Sequence, residues 1–408
     1  MNFRKLKRTL KKATPGIITG AADNDPAGIT TYSMSGALFG FSQLWVMVLA
    51  APMSIAVLSM CARIGNLQKQ GLTKVMLQHF PKWVAIGAVI ILLISNITTI
   101  GADILAVAAS FELLSGIKFT YWVIPITIFI WYFLVFSSYK HIRKLLLLTV
   151  PFLFCYALAA ILAKPDWSEV FRGIFLPNFS NLPPGYFMAA VGILGTTLTP
   201  YLFFWHTRAQ VEEHKTVKQT ETELQHEDKI NSPGLIFSQL ITLFIMIAGG
   251  ATLFGSGQGI ATATDAARAL EPVGGAWSAT LFAIGIISSG FIALPILAGS
   301  TAYALSELLK LKHGSLDDKP RRALGFYIII SLSLIAGVVM MLLELDPIKS
   351  LYYSQVLAGL LTPILVFVIL VLANKKSVVG TSGATKFENI FGVLAMVTII
   401  SAAIMMFV

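Results

Sequence analysis

The charged residues of this chain fall in short stretches, and the segments between them are apolar runs of about 20 residues or more, the length a helix needs to cross a hydrocarbon core. This ladder predicts an all-α integral membrane protein. Only 12% of the residues are charged and 56% are hydrophobic, against roughly 25% charged in a soluble domain. Eleven spans are expected, at residues 14–40, 42–64, 83–114, 120–138, 144–163, 187–209, 234–256, 277–309, 323–345, 350–373 and 387–408. They are called spans 1 to 11 below.

Lysine and arginine set the orientation of such a chain. With the N-terminus inside and strict alternation, 25 of the 30 Lys and Arg residues fall on the inner side. The outer loops hold only Lys118, Lys164, Arg172, Arg268 and Lys349. The N-terminus is therefore expected in the cytoplasm, the C-terminus outside, and the chain in the plasma membrane. The net charge of +10 is accounted for by this topology and implies no nucleic-acid partner. The basic stretch before span 1 is not a signal peptide, because the apolar segment that follows is long and contains Asp23, Asn24 and Asp25. Cys61 and Cys155 are read as buried thiols, since two isolated cysteines make neither a disulfide framework nor a metal motif.

Residues 1–408 read as one polytopic domain with no separate soluble part. The longest polar stretch, about 210–232, is a solvated cytoplasmic connection that includes His214 and His226. Spans 1–5 (about 14–163) and 6–10 (about 187–373) form two five-helix units, and span 11 (387–408) is extra. Five is odd, so the second unit starts from the opposite side of the membrane and the repeat is inverted.

Each unit opens with a broken helix. Asp25-Pro26 interrupts span 1 and Thr199-Pro200 interrupts span 6. Proline lacks an N–H and disfavours helical geometry in the residue before it, and Ala27-Gly28 lets the backbone unwind. Non-helical backbone and a carboxylate are tolerated at membrane depth only around a polar cavity or within protein. Paired breaks of this kind mark a substrate site near the bilayer midplane. Carbonyls freed beside Asp25 and around Thr196, with the Thr199 hydroxyl, make an oxygen-rich pocket suited to a hard cation.

At these residues the chain resembles the Nramp family of divalent-metal transporters, which has the LeuT-type inverted-repeat architecture with helices 1 and 6 discontinuous. Family members carry Asp-Pro-Gly-Asn in the first helix and Ala-x-x-Met-Pro-His in the sixth. Here the segments are Asp25-Pro26-Ala27-Gly28 and Thr196-Thr197-Leu198-Thr199-Pro200-Tyr201. Span 8 around residues 281–290 and Ser354-Gln355 in span 10 also resemble their counterparts. The resemblance implies a metal site of Asp25, Gly28, Thr196, Thr199 and Gln355, with a divalent metal ion as transported substrate and no cofactor.

The departures shape the expected substrate. Gly28 replaces the family's Asn and Thr199 its Met. A thioether biases a site toward softer metals, and a hydroxyl removes that bias. Losing both side chains is expected to enlarge the pocket, which would suit an ion that keeps several waters, as Mg²⁺ does. This pattern is similar to the Nramp-related magnesium transporters. Proton-coupled relatives carry an Asp and a Glu on the third helix and two His on the sixth. Here Asp103 and His206 remain, while Ala106 and Tyr201 replace the others. Asp103 is therefore a candidate proton site or structural partner, and His206 a candidate relay or a satisfied interfacial residue.

The expected function is a secondary transporter that brings Mg or Mn into the cytoplasm by alternating access, without obligatory proton cotransport. Its partners are the ion and the lipid bilayer, with no obligate protein partner. The alternatives are a proton-coupled Mn/Fe symporter and a LeuT-fold transporter of a small organic solute. Enzyme motifs such as HExxH, GxSxG or paired carboxylates do not occur. One of Asp23 and Asn24, which flank Asp25, is expected to line the outer vestibule or cap the half-helix.

Overall fold

A computed structural model describes residues 16–136, 150–180, 182–214, 227–254, 260, 263–267, 270 and 275–407. The basic residues before span 1, Lys140, Arg143 and Lys144 at the start of span 5, and residues 215–226 of the polar connection lie outside the described residues. The described residues form helices and no strands.

Among the described residues, nine helices are long and apolar enough to cross a membrane. They correspond to spans 2, 3, 4 and 6 to 11. Span 1 is helical over residues 16–23 and again over Pro26–Phe39. Span 5 appears as the 3-10 turn Val150–Leu153 followed by Phe154–Leu162. Among the short helices outside the expected spans, the two longest are Leu72–His79 between spans 2 and 3, and Trp167–Phe175 between spans 5 and 6. Both are shorter than a span and mix polar with apolar residues, so the hydropathy ladder does not register them.

The breaks fall where proline demands them. Asn24 and Asp25 leave the helix, and Pro26 takes the first helical position, where its missing N–H costs nothing. Span 6 runs from Tyr186 to Thr197, is interrupted at Leu198 and Thr199, and resumes over Pro200–His214. Spans 3 (Lys82–Ser115) and 8 (Ser278–Leu308), the third members of the two units, pack together.

The broken helices are held by close backbone approaches. Span 1 lies against span 7 (Glu227–Leu253), and span 6 against span 10 (Pro347–Asn374). Gly195 meets the backbone at Gln355 and Gly359, which leaves no room for a Cβ. Small residues let membrane helices approach this closely.

Candidate metal-ion site

Without an N–H, Pro26 leaves the carbonyl of Ala22, one turn back, lacking its helical donor. Tyr201, in the second half of span 6, donates its hydroxyl to that carbonyl at 2.7 Å. The same hydroxyl lies 3.2 Å from Asp25 Oδ2. Asp25 caps the second half of span 1, its Oδ1 accepting from the Gly28 N–H at 2.5 Å. Asp103 of span 3 accepts the neighbouring N–H, that of Ala27, through Oδ1 at 3.2 Å. Two buried carboxylates thus hold adjacent donors at one helix N-terminus, where the helix dipole favours negative charge.

Asp103 therefore lies beside Asp25, at the same helix N-terminus. Two carboxylates, Asp25 and Asp103, are thus the acidic groups at this N-terminus. Among the described residues, no group of three His, Cys, Asp or Glu side chains comes together. Further ligands would have to be neutral oxygens.

Neutral oxygens are available. Pro200 cannot donate to the Thr196 carbonyl. The Leu198 carbonyl accepts from Thr362 of span 10 at 2.9 Å. Thr196 Oγ1, Thr199 Oγ1, Gln355 Oε1 and Asp103 Oδ2 are all buried and have no hydrogen-bond partner. The Tyr32 hydroxyl, close to Thr196, is bonded to Thr197 at 3.1 Å. Buried polar atoms are nearly always paired, and those that are not call for an explanation.

Gly28 is where the two breaks meet. A Cβ there would lie 2.8 Å from Thr196 Oγ1 and 3.0 Å from both Asp25 Oδ1 and the Asp23 carbonyl oxygen. The wider pocket expected from replacing Asn by Gly28 is not realised on this side, because the Thr196 hydroxyl and the Asp25 carboxylate occupy the space. Gln355 is buried in span 10, with its Nε2 3.3 Å from the Ser354 hydroxyl. Among the described residues, no hydrogen bond joins it to Asp25.

Asp23 and Asn24 bond to span 7. Asp23 Oδ2 accepts from Gln239 at 2.7 Å and from Ser238 at 3.1 Å. Asn24 donates to Ser238 at 2.7 Å and accepts from Thr242 at 3.1 Å. Both residues are buried, so neither lines an open vestibule. Ser289 of span 8 donates to the Asn24 carbonyl. His206 is fully buried as well, its Nδ1 2.8 Å from the Thr19 hydroxyl, and it joins span 6 to the first half of span 1.

A family model described as Nramp, natural resistance-associated macrophage protein-like, matches residues 16–408. This chain belongs to the Nramp family. It is 25% identical over 401 residues to the divalent metal cation transporter MntH of Caldanaerobacter subterraneus subsp. tengcongensis, covering 96% of this chain and 91% of the relative. The MntH of Deinococcus radiodurans is 25% identical over 417 residues, covering 98% and 89%. In fold, the chain matches a manganese transporter of Eremococcus coleocola with a TM-score of 0.80 at 18% identity, covering 99% of this chain and 87% of that one. It also matches Mhp1, a nucleobase-cation-symport-1 family transporter, with a TM-score of 0.62 at 14% identity over 97% and 92% of the two chains. The architecture is the LeuT-type inverted repeat with helices 1 and 6 discontinuous.

Within the Nramp pattern, Tyr201 stands where the sixth helix has its first His. Sequence reasoning registered only the loss of an imidazole and missed that the phenol bridges to span 1. A signal for it existed: Pro26 orphans one carbonyl, and a hydroxyl beside Pro200 in the partner half-helix is a natural donor. Ser289 and Thr362 perform the same stitching and carry no comparable sequence signal.

Proposed function

We propose that this Nramp-family chain is a secondary transporter that carries a divalent metal cation into the cytoplasm across the plasma membrane by alternating access. Mg²⁺ and Mn²⁺ are the proposed substrates. The observation that carries this reading is the set of buried, unpartnered oxygens on Asp103, Thr196, Thr199 and Gln355, together with the Asp25 carboxylate. Hydroxyl, amide and carboxylate oxygens are hard ligands suited to small divalent cations, and the missing thioether removes a bias toward softer metals. The names of the MntH relatives, divalent metal cation transporters, support the same class.

In this reading Asp25 binds the ion directly or through its waters, and Thr199, Thr196 and Gln355 contribute neutral oxygens. Spans 1 and 6 move relative to spans 3 and 8 to expose the site to each side in turn. The N-terminus is cytoplasmic and the C-terminus outside, as the Lys and Arg bias implies. With Ala106 and Tyr201 in place of a Glu and a His, the ion moves without obligatory proton cotransport.

Uptake into proteoliposomes tests the proposal, with Mg²⁺, Mn²⁺ and Ca²⁺ compared and a pH dye inside. Entry of Mg²⁺ and Mn²⁺ that Asp25→Ala abolishes, with no acidification, is the expected result. Entry of Mn²⁺ alone with stoichiometric acidification would overturn the substrate and coupling assignments.

A further inference from the structure

The helix Trp167–Phe175 lies outside the spans, yet it exposes aromatic rings. Trp167 is 44% exposed, Phe171 59% and Phe175 68%. These residues follow one another at i, i+4 and i+8, so they share a sector of roughly 80° on a helix with 3.6 residues per turn. The Phe171 and Phe175 rings lie nearly parallel, 6.2 Å apart.

The other two sectors have different characters. Val170 is buried, and Gly173 and Ile174 are half-buried against the protein. Gly173 packs on the backbone of Phe41, just past the outer end of span 1. Ser168, Glu169 and Arg172 are exposed and polar, and they fill the remaining face. One short helix therefore presents a protein face, a water face and an aromatic face.

The position of the helix limits what can meet the aromatic face. It begins only a few residues after span 5, whose last helical turns expose Leu158, Ile161 and Leu162. Asp166 caps it by accepting the Ser168 N–H at 2.8 Å, so a new helix starts four residues after Ala163. The aromatic sector thus follows, within a few residues of chain, a helix whose last turns also expose apolar side chains. Aromatic side chains are enriched at the level of the lipid headgroups, and helices with one apolar and one charged face lie in that plane.

We propose that the helix Trp167–Phe175 is an interfacial foot, with Trp167, Phe171 and Phe175 seated in one leaflet of the bilayer and Glu169 and Arg172 in water. The inference rests on the chain being a membrane protein and is independent of what it transports. Through Gly173 and Phe41 the foot ties the outer end of span 1 to the membrane surface.

Site-directed spin labelling of the full chain in phospholipid vesicles tests this. Nitroxides are placed singly at Phe171→Cys, Phe175→Cys, Glu169→Cys and Arg172→Cys, with Cys61 and Cys155 replaced by alanine. Collision rates are read with oxygen, which concentrates in the bilayer, and with a water-soluble nickel chelate. The expected result is several-fold greater oxygen than chelate access at 171 and 175, and the reverse at 169 and 172. Equal chelate access at all four sites would overturn the proposal, since the aromatic face would then be in water. Low access to both reagents at 171 and 175 would also overturn it, because protein such as a second copy would then cover the face.

Discussion

The Tyr201 hydroxyl bridges the two broken helices, donating to the Ala22 carbonyl at 2.7 Å and lying 3.2 Å from Asp25 Oδ2. One phenolic hydrogen serves two acceptors. In the proposed cycle the ion and the phenol compete for the same carboxylate. Tyr201→Phe removes the competitor and also frees the Ala22 carbonyl as a ligand. The expected outcome is a several-fold lower KM for the ion with a reduced kcat, because a better-held ion leaves more slowly. Initial uptake rates against ion concentration check this, and an unchanged KM would remove Tyr201 from the site. A buried carbonyl left without a donor costs about 1–3 kcal/mol, so the variant should fold with a lowered melting temperature.

Gly28 tests the packing between the breaks. A Cβ there meets Thr196 Oγ1 at 2.8 Å and a backbone carbonyl at 3.0 Å, and the second of these cannot swing aside. Overpacking of this kind costs about 1–3 kcal/mol. Gly28→Ala should cut uptake at least ten-fold while leaving the protein monodisperse in detergent. Adding Thr196→Ala removes the hydroxyl contact and should raise the melting temperature lost in Gly28→Ala without restoring uptake, because Thr196 Oγ1 belongs to the proposed site. A single variant with wild-type uptake would show that the half-helices are farther apart in the working state.

The architecture was legible because it follows from coarse physics. Long apolar runs and two X-Pro breaks do not depend on side-chain detail, and spans 1 and 6 break where Pro26 and Pro200 required. Residue pairing across the site was less legible. Asp103 lies 76 residues from its Ala27 partner, and Tyr201 lies 176 from Asp25. No local pattern encodes which rotamer closes such a distance. Space at Gly28 is hard to read for a related reason: a missing side chain suggests room, but the Thr196 hydroxyl and the Asp25 carboxylate, from different parts of the chain, lie 2.8 and 3.0 Å from where a Cβ would sit. The helix Trp167–Phe175 was missed because it is too short to register as a span.

The scaffold offers a stability test away from the site. Arg63 of span 2 (Leu44–Gln68) meets Glu388 of span 11 (Lys386–Met405) in a bidentate pair at 2.6 and 2.8 Å. Both side chains are buried, and Glu388 also closes a capping box with Thr385. Glu388→Ala strands a buried guanidinium, which costs about 3–5 kcal/mol. A large drop in melting temperature is expected, with KM unchanged in the protein that survives. The double variant Arg63→Met/Glu388→Leu removes both charges and should recover most of the loss. Equal instability of the single and double variants would mean that the capping box, not the charge pair, matters.

The last prediction concerns how the proposed cytoplasmic side of the site stays shut. Arg208, on the second half of span 6, reaches Glu212 on its own helix at 2.8 Å and Glu307 on span 8 at 3.5 Å. Its guanidinium also lies 4.9 Å from the centre of the Tyr303 ring. Glu307 accepts the Lys74 N–H at 3.1 Å, so a single carboxylate joins span 6, span 8 and the short helix after span 2. If span 6 moves against span 8, Arg208 must leave Glu307 on each inward opening. Both side chains are mostly shielded from water, at 17% and 13% exposed, so the attraction is screened less than at an open surface. Glu307→Gln keeps the shape and removes the charge, which should shift the resting population toward the inward-open state. Ile18, buried in the first half of span 1, reports on that opening. In a background with Cys61 and Cys155 replaced by alanine, Ile18→Cys should react several-fold faster with an impermeant thiol reagent supplied from the cytoplasmic side once Glu307→Gln is added. An unchanged rate would mean that the contact between Arg208 and Glu307 does not hold the gate, leaving the backbone contact of Gly65 with Thr207 between spans 2 and 6 as the next barrier to test.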